Sequence, residues 1–129
     1  MATTLSEKLQ LKPGQQILVQ NAPAGYFDHL VVELPQARLE VEGANALLLF
    51  VTSLAEVAEL TPGVIQRVGQ NGLLWIAYPK GGSGVKTDVN RDRLAAAVVE
   101  ATGWRAVRQV AIDAVWSALR FRPVELVGK

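Results

Sequence analysis

The stretches ALLLFV at positions 46–51 and LLWIAY at positions 73–78 are continuous runs of apolar residues. Each is as long as one strand, and the absence of polar alternation is typical of a central parallel strand that is covered on both faces. The segment between them has apolar residues at helical spacing. It carries two N-terminal capping patterns, Ser53 with Glu56 and Thr61 before Pro62. We therefore predict a parallel β-sheet covered by helices, with two helices between these strands, the second of which ends at Gly69.

The flanking segments extend this alternation to β-α-β-β-α-β-α-β-β, with the helical segment between the two apolar strands counted once, after a short capped helix at Leu5–Leu9. The other predicted elements are Gln16–Gln20, Tyr26–Leu34, Arg38–Glu42, Asn90–Thr102, Arg105–Ile112 and Val115–Arg122. The last two strands are predicted to form an antiparallel hairpin. The link between the second and third strands is too short for a helical crossover. These strands are thus either antiparallel neighbours or separated by the first strand. We predict one domain over residues 1–129.

The composition excludes several kinds of site. Half of the 129 residues are hydrophobic and 19% are charged, which is typical of a globular domain. The chain has no cysteine, so disulfides, thiolate nucleophiles, zinc fingers and iron–sulfur ligation are excluded. His29 is the only histidine, which argues against a histidine-based metal site or a Ser-His-Asp triad. Because cysteine is absent and only one histidine is present, we expect no metal. We also expect no membrane-spanning segment and a cytoplasmic location, since no signal peptide or long apolar run is present.

The charge is divided unevenly along the chain. Residues 1–60 contain three basic and seven acidic residues, a balance of −4, whereas residues 61–129 contain ten and five, a balance of +5. Such an asymmetry is typical of a protein with one anion-facing side. It is too mild to indicate nucleic acid, which we do not expect as a partner.

A glycine-rich loop, Pro79–Val89, follows a buried strand and precedes a helix, so its amides and the helix N-terminus can face an anion. Val85 separates Gly84 from Lys86, and this departure from the P-loop argues against ATP or GTP hydrolysis. Lys80, Lys86 and Arg91 would hold a phosphate or carboxylate, and Asp88 would move a proton in an enzyme. The alternative is a surface loop in which Asp88 or Asn90 only caps the helix. With the strand ends, the candidate ligand-binding residues are Asn21, Ser53, Tyr78, Lys80, Lys86, Thr87, Asp88 and Arg91.

The last strand adds two further candidates, Trp116 and Arg120. Regular alternation puts them on one face together with Ala118 and Arg122. Tryptophan and arginine on one strand face can stack on a base or sugar, or they can pair with an acid and complete a sheet.

Several motifs together resemble a family of short bacterial proteins of unknown function: LWIAYPK (74–80), SGVKTD (83–88), RD (91–92), VRQV (107–110) with Asp113, and WSALRFRP (116–123). The layout also resembles the core of S-adenosylmethionine-dependent methyltransferases, which are Rossmann-like. That resemblance implies a three-layer α/β sandwich with a mainly parallel sheet. The second strand lies beside the first, the third lies on its other side, and the last strand is antiparallel beside the fourth. The chain departs from this family at the cofactor turn, where NAPAG (21–25) has one glycine and a proline, and we expect no cofactor.

We expect a non-catalytic binding or interaction module that uses the loop Lys80–Asp92, rather than an enzyme. One alternative is a small enzyme or ligand-binding domain for a phosphate- or carboxylate-bearing metabolite. Another is a degenerate methyltransferase. The expected partner is a protein or a small anionic ligand, and a homodimer through an edge strand such as Leu39–Glu42 is a further option.

Overall fold

A computed structural model describes residues 4–40, 45–68, 72–82 and 84–123. The elements follow the predicted order of strands and helices. They are α1 (Leu5–Lys8), β1 (Ile17–Gln20), α2 (Tyr26–Glu33), β2 (Ala37–Arg38), β3 (Ala46–Phe50), α3 (Leu54–Val68), β4 (Leu73–Pro79), α4 (Arg91–Thr102), β5 (Trp104–Ala111) and β6 (Trp116–Pro123).

The strands form one six-stranded sheet in the order β2-β1-β3-β4-β6-β5. Strand β1 pairs in parallel with β2 on one side and β3 on the other, and β3 pairs in parallel with β4. Strand β6 is antiparallel to both β4 and β5. The second and third strands are therefore separated by the first, and the antiparallel alternative for this pair is wrong. This is the strand arrangement that the methyltransferase resemblance implied, including the antiparallel C-terminal hairpin.

Helices pack on both faces of the sheet because successive strand residues point to opposite sides. Leu47 and Leu49 of β3 belong to one buried cluster, which includes residues of α3 and α4. Leu48 and Phe50 belong to a second cluster, which includes residues of α1 and α2. The apolar run that predicted a strand covered on both faces is thus buried on both faces.

Helix α3 runs from Leu54 to Val68 without a break, with Pro62 inside it. The prediction of two helices here was wrong. Val57, Thr61, Val64 and Val68 are buried at helical spacing, so one continuous face of the helix packs on the sheet. That packing offsets the cost of about 3 kcal/mol for an interior proline. Pro62 and Gly63 are exposed, so the helix bond that proline removes faces water. The predicted end at Gly69 lies outside the described residues.

The predicted strand Arg38–Glu42 overlaps the observed strand β2 (Ala37–Arg38) at Arg38 alone. Among the described residues, this edge strand pairs with β1 alone, through Ile17 with Ala37 and Leu18 with Arg38. Leu39 and Glu40 are exposed after it, and residues 41–44 lie outside the described ones.

Among the described residues, we find no helix with the length and apolar character needed to cross a bilayer.

Candidate functional site

Asn21, directly after β1, connects three elements at the carboxyl edge of the parallel strands. Its backbone has φ of 62°, a left-handed conformation that asparagine tolerates. Its Nδ2 donates to the carbonyl oxygen of Phe50 at 2.8 Å and to Oε2 of Glu56 at 2.9 Å. The side chain thereby joins the end of β1 to the end of β3 and the first turn of α3.

Glu56 accepts hydrogen bonds through both carboxylate oxygens. Oε1 accepts from the backbone N–H of Thr52 at 2.7 Å and from its hydroxyl at 2.9 Å. The Glu56 N–H donates to Oγ of Ser53 at 3.1 Å, as the capping pattern predicted. Burial alone would raise the pKa of Glu56, but the hydrogen bonds from Thr52, Asn21 and Ser53 outweigh it and lower that pKa. Glu56 is thus an ionised group with a structural role. The sequence analysis predicted its capping pattern with Ser53 but not its hydrogen bond to Asn21.

The glycine-rich loop is fixed to this edge near its C-terminal end. The Thr87 hydroxyl donates to the carbonyl oxygen of Thr52 at 2.6 Å. Asp88 Oδ1 accepts from the N–H of Leu54 at 2.9 Å, so Asp88 caps α3. Asn90 caps α4 by accepting from the N–H of Arg93 at 2.8 Å. The sequence predicted that Asp88 or Asn90 caps the helix after the loop, α4. Asn90 does so, whereas Asp88 caps the preceding helix, α3.

The N-terminal end of the loop is fixed to the β5–β6 turn. Lys80 Nζ donates to the carbonyl oxygen of Asp113 at 2.6 Å, and the Lys80 N–H donates to that of Val115 at 2.7 Å. The Asp113 carboxylate accepts from the N–H groups of Val115 and Trp116, each at 2.8 Å, and from the Tyr26 hydroxyl. Burial would raise the pKa of Asp113, but these bonds and Lys80 lower it. The pKa of Tyr26 is raised, mainly by burial and to a smaller extent by the hydrogen bond to Asp113 and the negative charge of that carboxylate.

A cleft of about 490 Å³ lies at the carboxyl ends of β1 and β3, where the strand order reverses. We call it the switch-point cleft, and it is lined by Pro23, Ala24, Gly25, Tyr26, His29, Thr52, Val85 and Trp116. Trp116 is only 5% exposed. Its ring packs on Phe50, with centroids 5.0 Å apart, and Phe50 packs on Tyr26 at 5.3 Å. Trp116 thus belongs to the core as well as to the cleft wall.

A second cleft of about 580 Å³ lies at the end of β4. We call it the β4-end cleft, and it is lined by Tyr78, Lys80, Gly81, Asn90, Arg91, Gln109, Ala111 and Ser117. Three of the predicted residues, Tyr78, Lys80 and Arg91, therefore meet here. The Tyr78 hydroxyl accepts from Nε2 of Gln109 at 3.0 Å. Arg91 is ion-paired with Asp92 at 3.4 Å.

The other predicted residues lie outside the β4-end cleft. Lys86 is exposed and lines neither of the two clefts. Asn21, Ser53, Thr87 and Asp88 belong to the hydrogen-bonded edge described above. Arg120 lies on the sheet face that α1 covers, where its guanidinium donates to Oε1 of Gln10 at 2.5 Å. Within ranges 4–40, 45–68, 72–82 and 84–123, no group of three or more histidine or acidic side chains is placed to hold a metal ion.

Comparison with known proteins identifies a similar fold. No protein-family model matches the chain, and no curated protein matches it. A chain in the crystal structure of a fibrillarin/Nop5p complex is similar with a TM-score of 0.52 and 10% sequence identity. The match covers 88% of this chain and 74% of that one. Fibrillarin has the fold of S-adenosylmethionine-dependent methyltransferases, so the chain has a methyltransferase-like layout. At this identity the likeness concerns the fold alone.

Proposed function

We propose that the protein is a non-catalytic binding module whose contact surface combines the switch-point cleft with the loop Lys80–Asp92. The observation that supports this proposal is that polar side chains at the carboxyl edge hold the loop in place through hydrogen bonds at both of its ends. Thr87 and Asp88 fasten one end of the loop, and Lys80 fastens the other. A loop fixed at both ends loses little conformational freedom on binding, and such preorganisation favours recognition.

The lining of the switch-point cleft supports a protein partner. Pro23, Ala24, Tyr26, Val85 and Trp116 contribute apolar or aromatic surface beside more polar side chains at its margin. An apolar anchor residue of a partner, surrounded by a polar rim, is the usual arrangement at protein interfaces. The fibrillarin with a similar fold is itself part of a complex with the protein Nop5p, which adds support for a protein as the occupant.

Two exposed valines allow a matched test. Val85 lines the switch-point cleft and is 38% exposed, and Val99 on α4 is 39% exposed. A photo-crosslinking amino acid at position 85, expressed in the source cells, should give a specific protein adduct, while the same group at position 99 should not. Val85→Asp should then abolish recovery of that partner, and Val99→Asp should not. Equal labelling at both positions, or a partner that tolerates Val85→Asp, would overturn the proposal.

A second candidate function is binding of a phosphate- or carboxylate-bearing metabolite in the β4-end cleft. It is supported by Lys80 and Arg91 in the cleft wall, beside the N-terminus of α4. A thermal-shift panel of sugar phosphates, nucleotides and carboxylic acids tests it. A ligand at 100 times its dissociation constant adds about 2.7 kcal/mol to the free energy of unfolding. Arg91→Ala should abolish the shift, and Lys86→Ala should leave it. The opposite result would contradict this site.

A degenerate methyltransferase is supported only by the fold likeness. S-adenosylmethionine and S-adenosylhomocysteine belong in the same panel, and a saturable shift with either would favour this function. A flat panel would favour the interaction module.

A further inference from the structure

The pairing of β5 with β6 brings four arginines together on one sheet face. Arg105 lies opposite Arg122, and Arg108 lies opposite Arg120. Directly opposed residues in an antiparallel pair point to the same side. By alternation along β6, this is the side of Trp116, which belongs to the cluster packed with α1 and α2. We call these four residues the arginine face.

The arginine face is not neutralised within the part of the chain that the structure describes. The ion pair found there joins Arg91 to Asp92, and no carboxylate pairs with the four arginines. Arg120 donates to the neutral amide of Gln10, and its Nε atom is buried with no hydrogen-bond partner among the described residues. Like charges directly opposite one another destabilise a sheet. The pKa of Arg120 is lowered, mainly by burial and then by the positive charges of Arg122 and Arg108, which agrees with this crowding of like charges.

The spacing of the arginine face fits more than one anionic group. Opposed residues are about 5 Å apart at Cβ, and residues two apart on one strand are about 7 Å apart. Guanidinium groups bind phosphate oxygens in a bidentate manner, so one phosphate engages one or two of them. We propose that the arginine face binds an oligophosphate, a molecule with two or more linked phosphate groups. This site shares no residue with either cleft.

Calorimetric titration of the full chain with tripolyphosphate tests the proposal. Arg105 and Arg108 are exposed, so the double variant Arg105→Gln/Arg108→Gln keeps the buried part of the hairpin intact. We expect saturable binding to the unaltered protein and a loss of affinity of about tenfold or more in this variant. The control is Arg38→Gln/Arg67→Gln, which removes the same charge from two exposed arginines on β2 and α3. It should bind as the unaltered protein does.

Several outcomes would overturn the proposal. These are no saturable binding, equal losses in both double variants, or equal affinity for an oligoglutamate peptide. Binding of a short single-stranded RNA but not of tripolyphosphate would also overturn it and would assign the face to a nucleic-acid backbone. Val85→Asp and Arg91→Ala should leave tripolyphosphate binding unchanged, so failure of the cleft proposals remains distinguishable from failure of this one.

Discussion

The carboxyl edge of the sheet and the arginine face of the hairpin use polar side chains in opposite ways. At the edge, the carboxylates of Glu56 and Asp88 accept from backbone N–H groups of neighbouring elements. On the hairpin, Arg105 and Arg108 lie opposite other arginines. The first arrangement is satisfied internally and holds a surface in shape, whereas the second leaves donors without anionic acceptors among the described residues. A polar cluster that is satisfied internally thus holds a neighbouring contact surface in shape, whereas a cluster with incomplete hydrogen bonds can itself bind a ligand.

The largest effect is expected from Glu56→Ala, which breaks the satisfied arrangement. It removes the acceptor of Thr52 and Asn21, and the free energy of unfolding should fall by about 1–2 kcal/mol. Urea denaturation measures this. Glu59→Ala, at an exposed position of the same helix, is the control and should change it by less than about 0.5 kcal/mol. Equal effects of both variants would show that the network does not stabilise the edge.

A smaller effect is expected from Asp88→Ala, which removes a helix cap supplied across 34 residues of sequence. Ser53 still accepts from the N–H of Glu56, and loss of the additional cap from Asp88 should cost about 1 kcal/mol. Hydrogen exchange at the Leu54 amide, the group that Asp88 accepts from, should become faster. Asp92→Ala is the control, since that side chain is 87% exposed and lies in α4. Unchanged exchange at Leu54 would contradict the capping role.

The pH dependence of stability should also distinguish the two regions. The pKa values of Glu56 and Asp113 are lowered in the folded protein, so their contribution is complete above the unfolded pKa of about 4. It is lost as the pH falls through the lowered folded values. Urea denaturation from pH 5 down to pH 2 should show decreasing stability, with a shallower slope in Glu56→Gln. Arg105→Gln should leave the slope as it is, and a parallel change in both variants would contradict the assignment.

The smallest effect is expected from Arg105→Glu, which replaces a like-charge pair with an opposite-charge pair across from Arg122. At low salt the free energy of unfolding should rise by about 0.5 kcal/mol. The gain should shrink at high salt, where exposed charges are screened. Arg38→Glu on β2 makes the same reversal of charge elsewhere and is the control. An equal gain in both variants would attribute the effect to net charge rather than to the opposed arginines.

Local sequence signals predicted most of the elements because their physical causes are local. Thr4 caps α1 through the N–H of Glu7, and Ser53 caps α3, both as the spacing indicates. The predicted helix boundary at Pro62 was wrong. Proline disfavours a helix interior, but burial of one face of α3 against the sheet offsets that preference, and this burial cannot be predicted from the local sequence. The candidate residues at the strand ends lie at one edge because parallel strands end together. Their partners were not predictable, since Asn21 and Glu56 are 35 residues apart.

By itself, the sequence determined the order of strands and helices, the two-sided burial of the central strands and the hairpin. Apolar runs and capping residues carry that information. Alternation along the last strand already placed Arg120 and Arg122 on one face, but only the tertiary structure showed that Arg105 and Arg108 join them. Arg105 and Arg108 are three residues apart, and regular alternation would place them on opposite sides of the sheet. A register shift between Ala106 and Arg108 brings both to the same side. An irregularity of this kind changes the alternation by one residue, and it depends on pairing with β6 rather than on β5 alone.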